Sequence, residues 1–229
     1  MDKAVAVVGG TGPTLGVALC NTLSANGYQV VGLSRSNALT QTVHSQQVKF
    51  LQCDLSNGDE VFARIREIEE TVGHIATYVH NLGDFAQAPF LESDAQQFEQ
   101  LWKVNCLSAY HAAKAVIAEM IDNSGGSIVF VGATASVKGS AQFSAFASSK
   151  FALRGLAQSL AREFGPEGIH VVHVVIDGVM WSHRAESWGM KAEQCLKPEA
   201  VAETICHLIE QDRSAWTHEL DIRPDVETF

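Results

Sequence analysis

The run Gly9-Gly10-Thr11-Gly12-Pro13-Thr14-Leu15-Gly16 follows a short β-branched stretch and opens directly into a helical pattern. A pyrophosphate must approach backbone amides closely, and side chains on the loop would block it. The helix N-terminus then adds unpaired N–H groups and a positive dipole end. Gly10, Gly12, Pro13, Thr14, Leu15 and Gly16 therefore read as an anion cradle between a first strand and a first helix. Further on, Ser34-Arg35-Ser36 stands about where a ribose is read in such sites. Residues 28–37 contain no acid to grip two ribose hydroxyls. A guanidinium flanked by two hydroxyls suits a 2′-phosphate instead. The expected ligand is NADP(H), in preference to NAD(H).

The elements that must position these residues alternate along the chain. Strand-like runs fall at Ala4–Val8, Gln29–Leu33, Val48–Cys53, Ile75–His80, Ser127–Val131, Ile169–Ile176 and Thr217–Ile222. Helical periods lie near 15–26, 58–72, 94–122, 143–164 and 198–211. Several runs are apolar almost throughout, as strands covered on both faces are. The alternation predicts one α/β domain spanning 1–229, a single-domain Rossmann fold with a doubly wound parallel seven-stranded sheet and helices on both faces. In the 94–122 segment Phe98, Leu101, Trp102, Ala109, Ala112, Ala113, Val116, Ile117 and Met120 form one apolar stripe. Asn105 sits on that stripe. A buried amide needs partners, either nearby carbonyls or a role in the site.

Composition narrows the partners. The net charge is −10, from 26 acidic and 16 basic side chains, which argues against nucleic acid and against adhesion to an anionic membrane. Cys20, Cys53, Cys106, Cys195 and Cys206 are scattered without a Cys-x-x-Cys, so they read as reduced, buried thiols of a cytoplasmic protein, with no metal site. The longest apolar stretch, Val171 to Trp181, is interrupted by His173 and Asp177 and is too short to span a bilayer. A first strand starting by Lys3 leaves no room for a signal peptide.

Taken in order, these residues resemble the short-chain dehydrogenase/reductase family over essentially the whole chain. The family's Thr-Gly-x-x-x-Gly-x-Gly motif falls on Gly9 to Gly16, with Gly10 and Gly16 kept and Thr14 in place of the middle glycine. Asp54, followed by Leu55, matches the adenine-contacting aspartate. The Asn-Asn-Ala-Gly stretch appears as His80-Asn81-Leu82-Gly83. Asn105 matches the asparagine that holds a water in the proton relay. Lys150 matches the lysine of Tyr-x-x-x-Lys, which binds the nicotinamide ribose. The family's Pro-Gly turn and later threonine appear as Asp177-Gly178 and Ser182. The resemblance also implies a homodimer or homotetramer packed through the two long helices, where Ala109, Ala112, Ala113, Ala145, Ala147 and Ala152 would allow close approach.

Two positions depart from the pattern. The tyrosine of Tyr-x-x-x-Lys is Phe146, and thirteen residues before it, where the family carries its serine, stands Ala133. The resemblance thus implies a divergent member that lacks the catalytic tyrosine and serine and has an atypical active site, unless Thr134 or Ser136 has shifted into the serine's place. A positioned acid is worth roughly 10²–10⁴-fold in rate. The expected function is hydride transfer between NADP(H) and a small substrate with a non-standard proton donor: Thr134, Ser136, Ser149, His80, Asp177, His183, or a water held by Lys150 and Asn105. The alternative is an inactive NADP(H)-binding sensor, scaffold or partner. Arg184 to Pro198 would form a short lid, with Trp181 and Trp188 near the substrate.

Overall fold

The computed structural model describes residues 4–36, 47–123 and 125–227. Seven strands form one parallel sheet: β1 Val5–Gly9, β2 Gln29–Ser34, β3 Val48–Gln52, β4 Ile75–His80, β5 Gly126–Val131, β6 Ile169–Ile176 and β7 Glu219–Ile222. Their order is β3-β2-β1-β4-β5-β6-β7. β1 and β6 are buried at every residue, the pattern of strands covered on both faces. This is the single-domain Rossmann fold that the alternation predicts. Lys3, the expected start of β1, lies outside the described residues.

Helices cover both faces. On one side α1 (Leu15–Ala25) and α7 (Pro198–Ile209) press Leu19, Leu23, Val201 and Ile205 onto Ala6, Val8, Val30 and Val172. On the other, α2 (Gly58–Thr71), α4 (Ser108–Asp122) and α5 (Ser144–Phe164) bury Ile65, Val116 and Leu153 against Val7, Tyr78 and Phe130. A short helix, α6 (His183–Ser187), lies in the expected lid segment. All five cysteines are free and buried. Among the described residues no helix is long and apolar enough to cross a membrane.

The long 94–122 helix is not continuous. α3 (Ala95–Trp102) passes into a π-helical turn, Lys103–Leu107, before α4 begins. There the Ser108 N–H reaches back five residues to the Lys103 carbonyl. The extra residue in this turn rotates the apolar stripe, so Phe98 and Trp102 are 42% and 39% exposed while Asn105 is fully buried. The alanines proposed for contact between copies also behave differently. Ala109, Ala112, Ala113 and Ala147 are buried within the chain's own core and present no outer surface.

Candidate active site

The sheet order reverses between β1 and β4, so the loops leaving their carboxyl ends diverge and open a crevice. Asn81 ties the two sides together. Its N–H donates to the Gly9 carbonyl at 2.8 Å and its Nδ2 to the Gly10 carbonyl at 3.1 Å. Gly10 has φ +80°, and a Cβ there would lie 2.5 Å from the Leu82 backbone. A Cβ on Gly16 would lie 2.8 Å from Thr11 Cα. Gly12 differs: a Cβ there meets nothing within 4 Å, so its bareness leaves room in the cleft rather than inside the fold. Thr14 at the start of α1 makes no capping hydrogen bond, and the first turn carries no acid. The positive end of α1 is therefore left to whatever enters.

The cleft has a volume of about 990 Å³. Gly10, Gly12, Pro13, Thr14, Leu15, Gly16, Ser34, Arg35, Ser36, Asp54, Leu55, Asn81, Gly83, Ala133 and Ser182 all line it. At one end Arg35 is exposed, while the Ser34 hydroxyl is committed to the Ser36 carbonyl at 2.6 Å. Asp54 accepts the Ser56 hydroxyl at 2.7 Å and the Ser56 N–H at 3.0 Å. Those two bonds, helped by the Arg35 charge, hold its carboxyl below the usual range. At the other end Ser182 caps α6, accepting the Ala185 N–H at 3.2 Å. Val131, Gly132, Ile176 and Met180 also line this end and were not singled out in the sequence. The strand ends they occupy were legible; their convergence on one wall was not.

Beneath the wall lies a buried polar cluster. Asn105 accepts the Asp84 N–H at 2.9 Å and returns an Nδ2–H to the Asp84 carbonyl at 3.0 Å. Its second Nδ2–H goes to Ser149 Oγ at 2.9 Å, and Ser149 donates to the Phe146 carbonyl at 2.8 Å. Lys150 is 5% exposed and bonds the Val131 carbonyl at 3.2 Å. Burial lowers its pKa to about 8. The space where a Gly83 Cβ would sit is flanked by Lys150 Nζ at 3.3 Å and Asn105 Oδ1 at 3.4 Å. Phe146 is half-buried and meets Phe85 edge-on, with ring centroids 5.1 Å apart.

The expectation of a site stripped of its serine, and with it of an atypical active site, is corrected by this cluster. The Asn105–Ser149 pair is intact, buried and fully hydrogen-bonded. Ala133 lies on the loop after β5, whereas the hydroxyl beside Asn105 comes from the helix that carries Lys150. The other hydroxyls have not moved into Ala133's place. Thr134 Oγ1 donates to Asp177 Oδ1 at 2.6 Å, and Ser136 Oγ accepts the Ala133 N–H at 3.1 Å. His183 projects into solvent, 3.1 Å from Glu186. His80 is fully buried below Asn81, and burial drives its pKa down to about 3, so it is neutral.

Comparison with known proteins agrees with this architecture. Carbonyl reductase family member 4 of Xenopus tropicalis is 28% identical over 221 residues, covering 92% of each chain. A crystal structure of a short-chain dehydrogenase from Rhodopseudomonas palustris superposes with a TM-score of 0.85 at 30% identity, covering 96% of this chain and 98% of that one. ElxO, solved with NADP bound, has the same fold, with a TM-score of 0.89 at 21% identity over 97% of this chain and 98% of that one. A tyrosine-to-phenylalanine variant of ElxO has been solved with NADPH bound. Residues 3–191 match the short chain dehydrogenase family. With its glycine loop, Asn105 and Lys150 all grouped about one cleft, this chain belongs to the short chain dehydrogenase family.

Proposed function

We propose that the chain is an NADP(H)-dependent oxidoreductase that transfers a hydride to or from a small substrate. One observation carries the reading: a single cleft at the reversal of the sheet joins an uncapped helix N-terminus and Arg35 at one end to Lys150 and Asn105 below the other. The residues fit a dinucleotide phosphate. Bare Gly12 lets a pyrophosphate approach the α1 amides, and Arg35, with no acid among residues 28–36 of β2 and its turn, meets a 2′-phosphate. Asp54 and Leu55 flank the adenine end, while Asn81, Gly83 and Ser182 flank the nicotinamide end. The ElxO complexes, including the variant that has lost a tyrosine, support the choice of cofactor.

The nicotinamide supplies or accepts the hydride. Reduction of a carbonyl then leaves an alkoxide that takes a proton. Phe146 has no proton to give. Lys150 Nζ does, and its lowered pKa makes that proton easier to release than an ordinary lysine's. Lys150 stands behind the cleft wall, with Nζ close beneath Gly83, which lines the cleft, so the proton reaches the substrate through a relay such as a water. Asn105 and Ser149, bonded to each other and to the Asp84 and Phe146 backbone, hold the surroundings of Lys150 in one arrangement. A second reading, an NADP(H)-binding protein without turnover, is favoured by the same recessed Lys150. Tyr110 and Phe151, each 43% exposed on α4 and α5, support a homodimer or homotetramer, which light scattering reads directly.

The test is titration with NADPH and NADH, followed by NADPH oxidation with ketone and quinone acceptors. Tight NADPH binding with turnover supports the enzyme. Tight binding without turnover on any acceptor favours the binding protein, and equal affinity for the two cofactors removes the assignment to Arg35.

A further inference from the structure

A second buried polar group lies under the same site, and its donors and acceptors can be assigned. Ser108 Oγ is 2.5 Å from the Val104 carbonyl, which only accepts, so the one hydroxyl proton of Ser108 is committed there. The contact between Ser108 Oγ and His80 Nε2, at 3.1 Å, must then run from His80 Nε2–H to the serine. His80 Nδ1 is left as an acceptor, and Tyr78 O–H meets it at 3.1 Å. Tyr78, His80 and Ser108 are all fully buried. The result is a directed chain, Tyr78 to His80 to Ser108 to the Val104 carbonyl.

Both ends of this chain touch the candidate site. A Cβ on Gly9 would fall 2.2 Å from the Tyr78 hydroxyl, so the chain begins against the residue that starts the glycine loop. It ends on the π turn, one residue before Asn105. In that turn the Ser108 N–H reaches the Lys103 carbonyl, and the Ser108 hydroxyl bonds the Val104 carbonyl. We propose that His80 is a positioning residue, a neutral strut whose Nε2–H fixes the π turn and thereby the orientation of the Asn105 amide relative to the glycine loop. The inference rests on the role given to Asn105 above. A neutral imidazole suits a strut because it keeps one tautomer; burial and the nearby Lys150 charge hold His80 uncharged.

The test is NMR on unliganded protein labelled with ¹⁵N-histidine, with His80→Gln used to assign the resonance. A single Nε2–H tautomer, unchanged between about pH 5 and 8, is the expected result. An Nδ1–H tautomer, a mixture of tautomers, or titration in that range overturns the strut. In Ser108→Ala, exchange of the Asp84 amide, which is bonded to Asn105 Oδ1, is expected to rise about tenfold as a buried hydrogen bond is lost. The Val79 amide in β4 stays protected and Ser108→Thr restores Asp84. Unchanged Asp84 exchange, or equal loss of protection at Val79, counts against the proposal. Neither measurement needs turnover, so an inactive protein with the predicted tautomer sinks the enzyme reading and leaves the strut. If Ser108→Ala does not fold, the wild-type tautomer decides.

Discussion

Asn105 Nδ2 lies 2.9 Å from Ser149 Oγ, joining the π turn between α3 and α4 to the helix that carries Lys150. Its other hydrogen and its carbonyl oxygen are both held by the Asp84 backbone. Every polar atom of the Asn105 side chain is thus engaged, and the amide has one orientation. In Ser149→Ala one buried Nδ2–H loses its acceptor, which costs about 1–3 kcal/mol. The expected outcome is a lower urea midpoint together with weakened turnover and an NADPH affinity within about twofold of wild type. Unchanged stability would show that the pair contributes nothing.

Among the described residues that line the cleft, Arg35 is the one lysine or arginine, where the second strand ends. Removing it in Arg35→Ala takes away charge-assisted hydrogen bonds to a 2′-phosphate, worth roughly 1.5–3 kcal/mol or about 10–100-fold in Kd. NADH, lacking that phosphate, is expected to bind as before. Fluorescence titration of both cofactors checks the contrast, and parallel losses would remove Arg35 from cofactor choice.

The glycines of the loop divide by what surrounds them. Gly10→Ala forces a side chain at φ +80° and into the Leu82 backbone, with an expected destabilisation of about 2 kcal/mol or more. Gly12→Ala meets no atom, so its melting temperature is expected to stay within about a degree or two of wild type, as for a surface substitution. Its methyl group instead intrudes on the cleft and weakens NADPH binding. Thermal melts with and without NADPH separate the two variants.

Lys150 gives a pH dependence with a definite sign. Its folded pKa of about 8 is below the ordinary lysine value of 10.5 because burial penalises the charge. The proton-donating form therefore prevails below about 8, and ketone reduction is expected to fall about tenfold per pH unit above it. Stability runs the other way. The unfolded chain binds the proton more strongly, so the fold gains stability as pH rises from about 8 towards about 10.5. Urea midpoints across that window check the second claim, and a pH–rate profile without a break near 8 would dismiss Lys150 as the proton source.

How much of this was legible beforehand follows from the range of the interactions involved. The glycine loop, the acid-free segment around Arg35 and the buried strands are local patterns. A 3.6 or 2.0 periodicity, or a loop that must lie close to a ligand, is written in consecutive residues. The seven-stranded sheet accordingly came through almost strand by strand, and the residues read as an anion cradle do line one cleft. The break in the 94–122 helix did not, because a π turn depends on which carbonyl Ser108 finds rather than on hydrophobic spacing. The serine of the site was likewise misplaced. A count along the chain pointed to Ala133, whereas Ser149 reaches Asn105 across 44 positions of sequence. By itself the sequence determined the fold, the glycine loop and the placing of Arg35 after the second strand, since each is encoded over a few neighbouring residues. Only the tertiary structure decided the polar contacts beneath the cleft: which hydroxyl meets Asn105, how deeply Lys150 is buried and which groups His80 meets. Those depend on contacts between segments far apart in the chain, and burial, which shifts the pKa values, exists only once they have met.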